Sequence, residues 1–448
     1  MPPDLETIVS LCKRRGFVFG GSEIYGGLGG FWDYGPLGVE LKNNIKRAWW
    51  RAMVQERDDI AGIDAAVIMN ANVWRASGHA TTFNDMMVEC IENHHRLRAD
   101  KVQGDKCPEC GSALGEPRPF NTMFRTHVGA VEDDAALVWL RPETAQGIFV
   151  NFQNVQQAMR KKIPFGIAQI GKSFRNEVQT GNFIFRDREF EQMEMEFFVK
   201  PGTEDVWHDY WRNARLAWWQ QTFNIDPSRI RIKAIRREGT SIIGPDPEDF
   251  ESEKPPHYSK GNYDLEYKFP MGWSEIEGIA SRTDYDLTNH QKWSGKELSY
   301  FDDETKEKYL PFVVEPAMGV ERAVLVALLE SYREEKVKNE KRTVLAFPYA
   351  LAPIKAAVLP LLRNRPEIVA LAHGLTAELK KSMMAVYDDT GSIGRLYRRQ
   401  DEIGTIWCVT VDVQTLEDKQ VTIRERDTMQ QVRIPLDAVK DYLTTRLT

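Results

Sequence analysis

Polar and apolar positions alternate with a period of two along the return half of residues 173–198, SFRNEVQTGNFIFRDREFEQMEMEFF. Strand residues point alternately to opposite faces, so Phe190, Gln192 and Glu194 share one side and Met193, Met195 and Phe197 the other. With a polar loop at its centre, the stretch predicts an antiparallel hairpin whose outgoing strand puts Arg175 and Glu177 on one side. The period changes to 3.6 at VELKNNIKRAWWRAMVQE (39–56), where Leu41, Ile45, Ala48 and Ala52 mark one face of a helix. Residues 203–223 are helical in pattern and rich in tryptophan, which suits core packing better than a recognition surface. LPFVVEPAMGVERAVLVALLESY (310–332) reads as a strand entering an amphipathic helix, and strand-like runs are expected at 136–150 and 165–198.

The interruptions give the domain plan. Eight glycines interleave with aromatics in residues 20–38, which predicts loop and short strand with close backbone approach. Residues 85–135, with paired cysteines and polar turns, read as one insertion into a first domain of residues 1–340. Residues 200–265 read as a second, with a loop at 244–262. The charged run REEKVKNEKR (333–342) marks a boundary. Beyond it, residues 341–448 alternate strand and helix patterns: TIWCVTVDV and VTIRERD flank LEDKQ as a hairpin, and PLDAVKDYLTTRL closes as a helix. The expected fold is α+β.

Composition narrows the class. At 448 residues, 42% hydrophobic and 28% charged, the chain is ordinary for a globular protein of two or three domains. No apolar run approaches the ~18 residues of a membrane span, and MPPDLETIVSLCKRRG lacks a signal peptide's apolar core. Five cysteines, three of them clustered, suit a reducing cytoplasm. The net charge of −7 is uneven: residues 341–448 carry 16 basic and 13 acidic residues, a balance of +3, which leaves −10 on the rest. Charge alone leaves a nucleic-acid partner open.

The chemistry lies in the hairpin and the strand–helix unit. The hairpin's front face offers a guanidinium for a phosphate, a ring for a base and carboxylates for an amine. An ion-paired surface hairpin accounts for any one of Arg175, Glu177, Arg186, Phe190 and Glu194, but not for all five together. In EPAMGVER, Glu315 and Ala317 share a strand face and Gly319 marks the turn. Arg322 lies about 200° around the helix from Val320, off the buried stripe, beside the N-terminal amides where a phosphate binds.

In this form the two segments resemble motifs 2 and 3 of the class II aminoacyl-tRNA synthetases. The resemblance implies an antiparallel-sheet catalytic domain and an α/β anticodon-binding domain. It implies that Arg175 holds the α-phosphate of ATP, Phe190 stacks on adenine, Glu177 contacts the ATP end and Arg322 clamps the far phosphates. GSEIYGGLGGFWDYGPLG, RPETAQGIFVNF (141–152), GWSEIEGIASRTDYDL (272–287) and YDDTGSIGRLYRRQDEIGT (387–405) are together similar to the dimeric glycyl-tRNA synthetases. By matching positions, Glu143, Glu194 and Glu315 surround the ammonium of glycine, with Arg282, Arg98, Phe190, Ala317 and Gly319 in the substrate set. Asn176, Phe185, Arg186, Gly319 and Glu275 with the Ile276 backbone join the ATP set.

The family resemblance further implies a homodimer with the Gly-rich segment near its interface, Mg²⁺ with ATP, and tRNA(Gly) as acceptor. Three alternatives stand beside it: a synthetase for another small amino acid, a non-catalytic nucleic-acid-binding paralogue, and a zinc-dependent binding protein centred on the cysteine insertion. Two departures stand out. Ala317 replaces the family's usual Ser, and strand parity puts Arg282 opposite Glu275 unless Gly278 bulges the strand. Relatives place two Cys-x-x-Cys pairs in the 85–115 insertion; here CIENHH keeps Cys90 but has Asn93 for its partner. A Cys₃His zinc site of Cys90, Cys107, Cys110 and His94 (or His95) follows as an expectation, and it would be structural. Cys12 and Cys408, among apolar neighbours, are expected to be buried thiols.

Overall fold

The computed structural model describes residues 3–99, 102, 104–133, 135–337 and 339–447. Its centre is an eight-stranded sheet. In chain order the strands are Ile60–Ile63 (β1), Phe165–Phe174 (β2), Glu189–Val199 (β3), Ile230–Arg236 (β4), Gly239–Ile243 (β5), Gly261–Phe269 (β6), Gly272–Thr283 (β7) and Phe312–Gly319 (β8). They lie in the order β5-β4-β6-β7-β8-β3-β2-β1 and pair antiparallel, except for the parallel edge pair β1–β2.

One face of this sheet is apolar and closed. Met193, Met195 and Phe197 of β3, Ile279 of β7 and Val314 of β8 are fully buried beneath helices. Those helices are Pro36–Trp50 (α1), Glu204–Phe223 (α3) and Val320–Ser331 (α5). Trp211 and Trp219 of α3 are fully buried, as a core role requires. Helix α5 is buried almost all round, from Ala323 to Leu329, and so exceeds the amphipathic stripe expected of it. Two further helices, Ala145–Phe149 (α2) and Tyr285–Ser294 (α4), cover the other face near β2 and β3.

Two expectations about the sheet change. The strand-like run at 136–150 is a strand only over Leu137–Trp139, after which the chain turns into α2. A short apolar run such as AQGIF fits a buried helix turn as well as a strand, and packing decides. Arg141 fixes this entry: its Nε and Nη1 donate to the carbonyls of Lys172 and Ala65 at 2.7 Å each. A Cβ on Gly171 would stand 2.1 Å from the Arg141 guanidinium, so the strand needs glycine there.

The charged run at 333–342 folds into a hairpin, Tyr332–Val337 with Glu340–Leu345. It is tied to the C-terminal unit by Arg342, whose Nε donates to buried Asp401 at 2.8 Å. That unit has strands Ala356–Pro360 (β9), Ala385–Tyr387 (β10), Trp407–Val411 (β11), Gln420–Glu425 (β12) and Gln431–Pro435 (β13), in the order β10-β9-β11-β12-β13. The expected hairpin of β11 and β12 is an antiparallel pair, but a helix, Val413–Asp418, joins them in place of a tight turn. Asp412 and Thr415 form a capping box that starts this helix. Cys12 and Cys408 are buried as expected, and no helix among the described residues is long and apolar enough to cross a membrane.

Candidate active site

The uncovered part of the sheet face holds a cavity of about 530 Å³, the size of a small-ligand site. Strands β3, β7 and β8 and the loop between β2 and β3 form its floor. Phe190, Gln192 and Glu194 all line it, as the alternation along β3 requires. Glu315, Ala317 and Gly319 line it from β8. The register that brings them together is direct: Glu194 faces Ala317 across β3–β8, and Ala317 faces Gly278 across β7–β8.

Arg175, Glu177, Phe185, Arg186, Glu275, Ile276 and Arg322 also line the cavity. Strand β2 ends at Phe174, so Arg175 and Glu177 are loop residues and not, as the alternation predicts, part of the strand. The loop still turns both into the cavity. Arg175 donates from Nε to the Pro142 carbonyl at 2.9 Å, and its guanidinium lies 5.4 Å from the Phe190 ring centre. The Glu177 carboxylate accepts from Arg186 Nε and Nη2 at 3.0 and 2.8 Å. Arg322 donates to the Glu275 carbonyl at 2.8 Å, and its guanidinium packs on the Phe185 ring at 4.5 Å.

Three buried carboxyls, Glu143, Glu194 and Glu315, form an acidic group in the same wall. Glu143 stands 3.2 Å from His79 Nε2 and accepts from Gln146 Nε2 at 2.9 Å. Glu194 accepts from the Thr144 hydroxyl, and Glu315 from Arg282 Nη1. Arg282 is 3% exposed. It completes its bonding with Asp286 at 2.8 and 2.9 Å and lies 4.2 Å from the Tyr258 ring centre.

Strand β7 resolves the parity problem of Arg282. Glu275 pairs with Glu266 and Glu277 with Leu265, so Ile276 has no partner on β6 and is the bulged residue; Gly278 is not. The bulge leaves Glu275 on the cavity side. It sends Glu277 to the opposite face, where Arg215 Nε and Trp219 Nε1 each donate to it at 2.6 Å. Arg282 is skipped in turn by β8, between the pairs Ser281–Val314 and Thr283–Val313.

Charge accumulates in the acidic group. Burial, with Glu315 and Glu143 adding to it, pushes the Glu194 carboxyl up to about 8. Burial pushes Glu315 up to about 7 against the pull of Arg282. Glu143 behaves oppositely: despite burial, the His79 ring, Arg282 and Gln146 hold it well below the usual carboxylate range.

Three expected residues are not in this cavity wall. Arg282 lies behind it, bonded to Glu315 and Asp286. Asn176 lines a neighbouring cleft, its backbone N–H on the Thr122 carbonyl at 2.7 Å. Arg98 stands on an insertion strand, Arg96–Arg98, 3.5 Å from Asp85. Other contributors were not legible. Tyr258 comes from the 244–262 loop, and Thr144, Gln146 and Asp286 come from elements around α2 and α4. Asp286 had a faint signal, since Arg282 and Asp286 have i, i+4 spacing across the entry to α4. Asp187 also lines the cavity, its carboxyl pushed up to about 8 by burial and then by Glu321.

The insertion brings together Cys90, Cys107 and Cys110, with ligand atoms within 4.8 Å of one another and 3.5 Å between the Cys90 and Cys110 sulfurs. A zinc tetrahedron with thiolate bonds of about 2.3 Å has sulfurs about 3.8 Å apart, so three corners fit. The expected fourth ligand does not. His94 is turned to Glu89 at 2.9 Å, and His95 pairs with Glu109. Both imidazoles sit on the exposed rim because the turn after Cys90 carries them outward.

A nucleotide-sized cavity on an antiparallel sheet, with an arginine from a hairpin loop and another from a helix start, is the arrangement of one enzyme class. Residues 130–332 match the tRNA synthetase class II core domain (G, H, P, S and T), and residues 355–446 match the anticodon binding domain. The fold and site define a class II aminoacyl-tRNA synthetase. Along its length the chain is 52% identical to glycine--tRNA ligase of Thermobifida fusca (strain YX), covering 99% of this chain and 98% of that protein. It is 51% identical to that of Bifidobacterium longum (strain NCC 2705), over 99% and 93%. With that of Cutibacterium acnes (strain DSM 16379 / KPA171202) the identity is 50%, over 99% and 96%. The chain belongs to the glycine--tRNA ligase family.

Proposed function

We propose that the protein activates glycine with ATP and transfers it to the 3′ end of tRNA(Gly). The observation that carries this reading is that one cavity of about 530 Å³ is lined both by Arg175 and Arg322 and by Glu143, Glu194 and Glu315. The glycine carboxylate attacks the α-phosphate in line. A carboxylate–phosphorus bond forms, and the bond to pyrophosphate breaks. No proton moves in this step, so positioning and charge neutralisation are the protein's task. Arg175 takes the α-phosphate and Phe190 the adenine. Arg322, Glu275 and the Ile276 backbone take the remainder of the nucleotide, and Mg²⁺ accompanies its phosphates. A terminal hydroxyl of tRNA then attacks the adenylate carbonyl, with the C-terminal domain holding the anticodon.

Glycine is selected by exclusion. The carboxylates offset the desolvation of its ammonium, and a side chain would have to displace these polar contacts. Ala317 supplies no hydroxyl, so this part of the wall excludes by contact alone. Glycine-dependent pyrophosphate exchange is expected, with alanine at least ~100-fold poorer in kcat/KM. Comparable exchange with alanine would sink the exclusion argument, and none with either would sink the assignment.

The raised carboxyls add a pH dependence. Glu194 and Glu315 must be ionised to receive an ammonium, so glycine KM falls as pH rises from 6 through about 7 and 8. Near pH 7 glycine binding releases protons, measurable by titration calorimetry in buffers of different ionisation enthalpy. An uptake of protons would contradict this.

The zinc reading narrows to the three cysteines. We expect bound zinc, measured by elemental analysis, to be lost in Cys107→Ser and unchanged in His94→Ala; a metal-free native protein rejects the site. The cytoplasm is the proposed location, where the five unpaired cysteines stay reduced. A homodimer is supported by Ile24, Tyr25 and Leu28, apolar and exposed on the Gly-rich segment. Sedimentation equilibrium giving the monomer mass would rule it out.

A further inference from the structure

Glu196 is the residue of β3 that nothing above uses. It follows Glu194 by two positions and so points from the same face of the strand, one step deeper. It is 0% exposed, and neither of its carboxyl oxygens has a hydrogen-bond partner. One oxygen of Glu196, one of Glu194 and one of Glu315 lie within 4.8 Å of one another. Its cross-strand neighbour on β2 is Ile167. Beyond it lies an apolar cluster with Phe149, Phe152, Phe165 and Phe198.

The charges around it are unbalanced. Its own strand presents Glu194, β8 presents Glu315, α4 presents Asp286 and β7 presents Arg282. Helix α2 presents no ionisable side chain over Ala145–Phe149, and β2 presents the amide of Gln169. Arg282 is already committed to Asp286 and Glu315. A third carboxylate with no donor, walled by phenylalanines, has nothing to balance its charge.

We propose that Glu196 is carried as a neutral carboxylic acid and acts as a positioning residue, its O–H turned to the Glu194–Glu315 pair that receives the substrate ammonium. Its neutrality keeps those two as the only acids of the trio to titrate when the amino acid binds. Burial and the neighbouring Glu315 act in the same direction, well above the usual carboxylate range. The inference rests on reading Glu194 and Glu315 as the ammonium site. Glutamine reproduces a neutral acid's shape and donor, whereas leucine keeps the volume and removes both polar atoms.

The test is infrared difference spectroscopy with exchange kinetics on the full-length protein, Glu196→Gln and Glu196→Leu. The difference spectrum between native protein and Glu196→Gln at pH 7, in which the bands of Glu194, Glu315 and Asp187 cancel, is expected to contain the carbonyl stretch of one protonated carboxyl. Glycine KM is expected to stay within about threefold in Glu196→Gln and to rise about tenfold or more in Glu196→Leu, with ATP KM unchanged in both. Absence of the band from that difference, or equal damage from both variants, overturns the proposal. Equal damage would mean an ionised Glu196, balanced by a cation among the three carboxylates. If native protein shows no glycine-dependent exchange, the pocket reading fails, and the infrared band still decides the state of Glu196.

Discussion

Arg175→Ala is expected to lower glycine-dependent pyrophosphate exchange about a thousandfold, with the thermal midpoint nearly unchanged. Arg175 has five N–H groups, and among the described residues only Nε has a protein acceptor, the Pro142 carbonyl. That bond fixes the fork and leaves the other four donors for phosphate oxygens. As the α-phosphate is attacked, negative charge builds where a fixed guanidinium lowers the barrier most. Stability depends little on the residue, because it makes one carbonyl bond and stacking contacts with Phe83 and Phe190 in a loop. Arg175→Lys keeps the charge without the fork and should fall between the two. Exchange within tenfold of native in Arg175→Ala would remove it from the catalytic machinery.

Arg282→Met should carry the largest cost in stability, about 3–5 kcal/mol by denaturant titration. Methionine fills the space but leaves Asp286 and Glu315 buried without their shared cation. The loss should depend on pH. A carboxyl raised in the folded state contributes stability that is complete below its unfolded value and fades as pH rises through the folded one. Glu315 and Glu194, raised to about 7 and 8 in the native protein, already make the ligand-free form less stable at pH 8 than at pH 5. Without Arg282 the Glu315 carboxyl rises further, so the variant's deficit grows between those pH values. Glu315→Gln in the same chain should recover part of it. A deficit equal at pH 5 and pH 8 would show that packing, not charge, is what Arg282 supplies.

Local pattern carried much of this site and failed where the sheet's neighbours decide. The alternation along β3 placed Phe190, Gln192 and Glu194 correctly because each is set by a two-residue period. Gly319 and Arg322 were legible for the same reason, as a strand end and a first helical turn. The bulge at Ile276 was not, since an unpaired residue is defined by two strands at once and leaves no mark on its own segment. Tyr258 lies in a loop with no period. Residues 145–149 read as strand or helix alike, because five residues are too few to show a period. The histidines of the insertion failed differently: the spacing of CIENHH allowed a ligand, and the turn carried both rings to solvent.

The two skipped residues of β7 act as phase shifts. Each inverts the strand's alternation, so two restore it, and the strand leaves the sheet in the phase in which it entered. Between them, one strand presents Glu275 to the cavity and Arg282 to Glu315 and Asp286 while keeping Glu277 in the core. A single insertion or deletion between Trp273 and Thr283 that is not absorbed as a further bulge would exchange cavity and core residues on one side of the change.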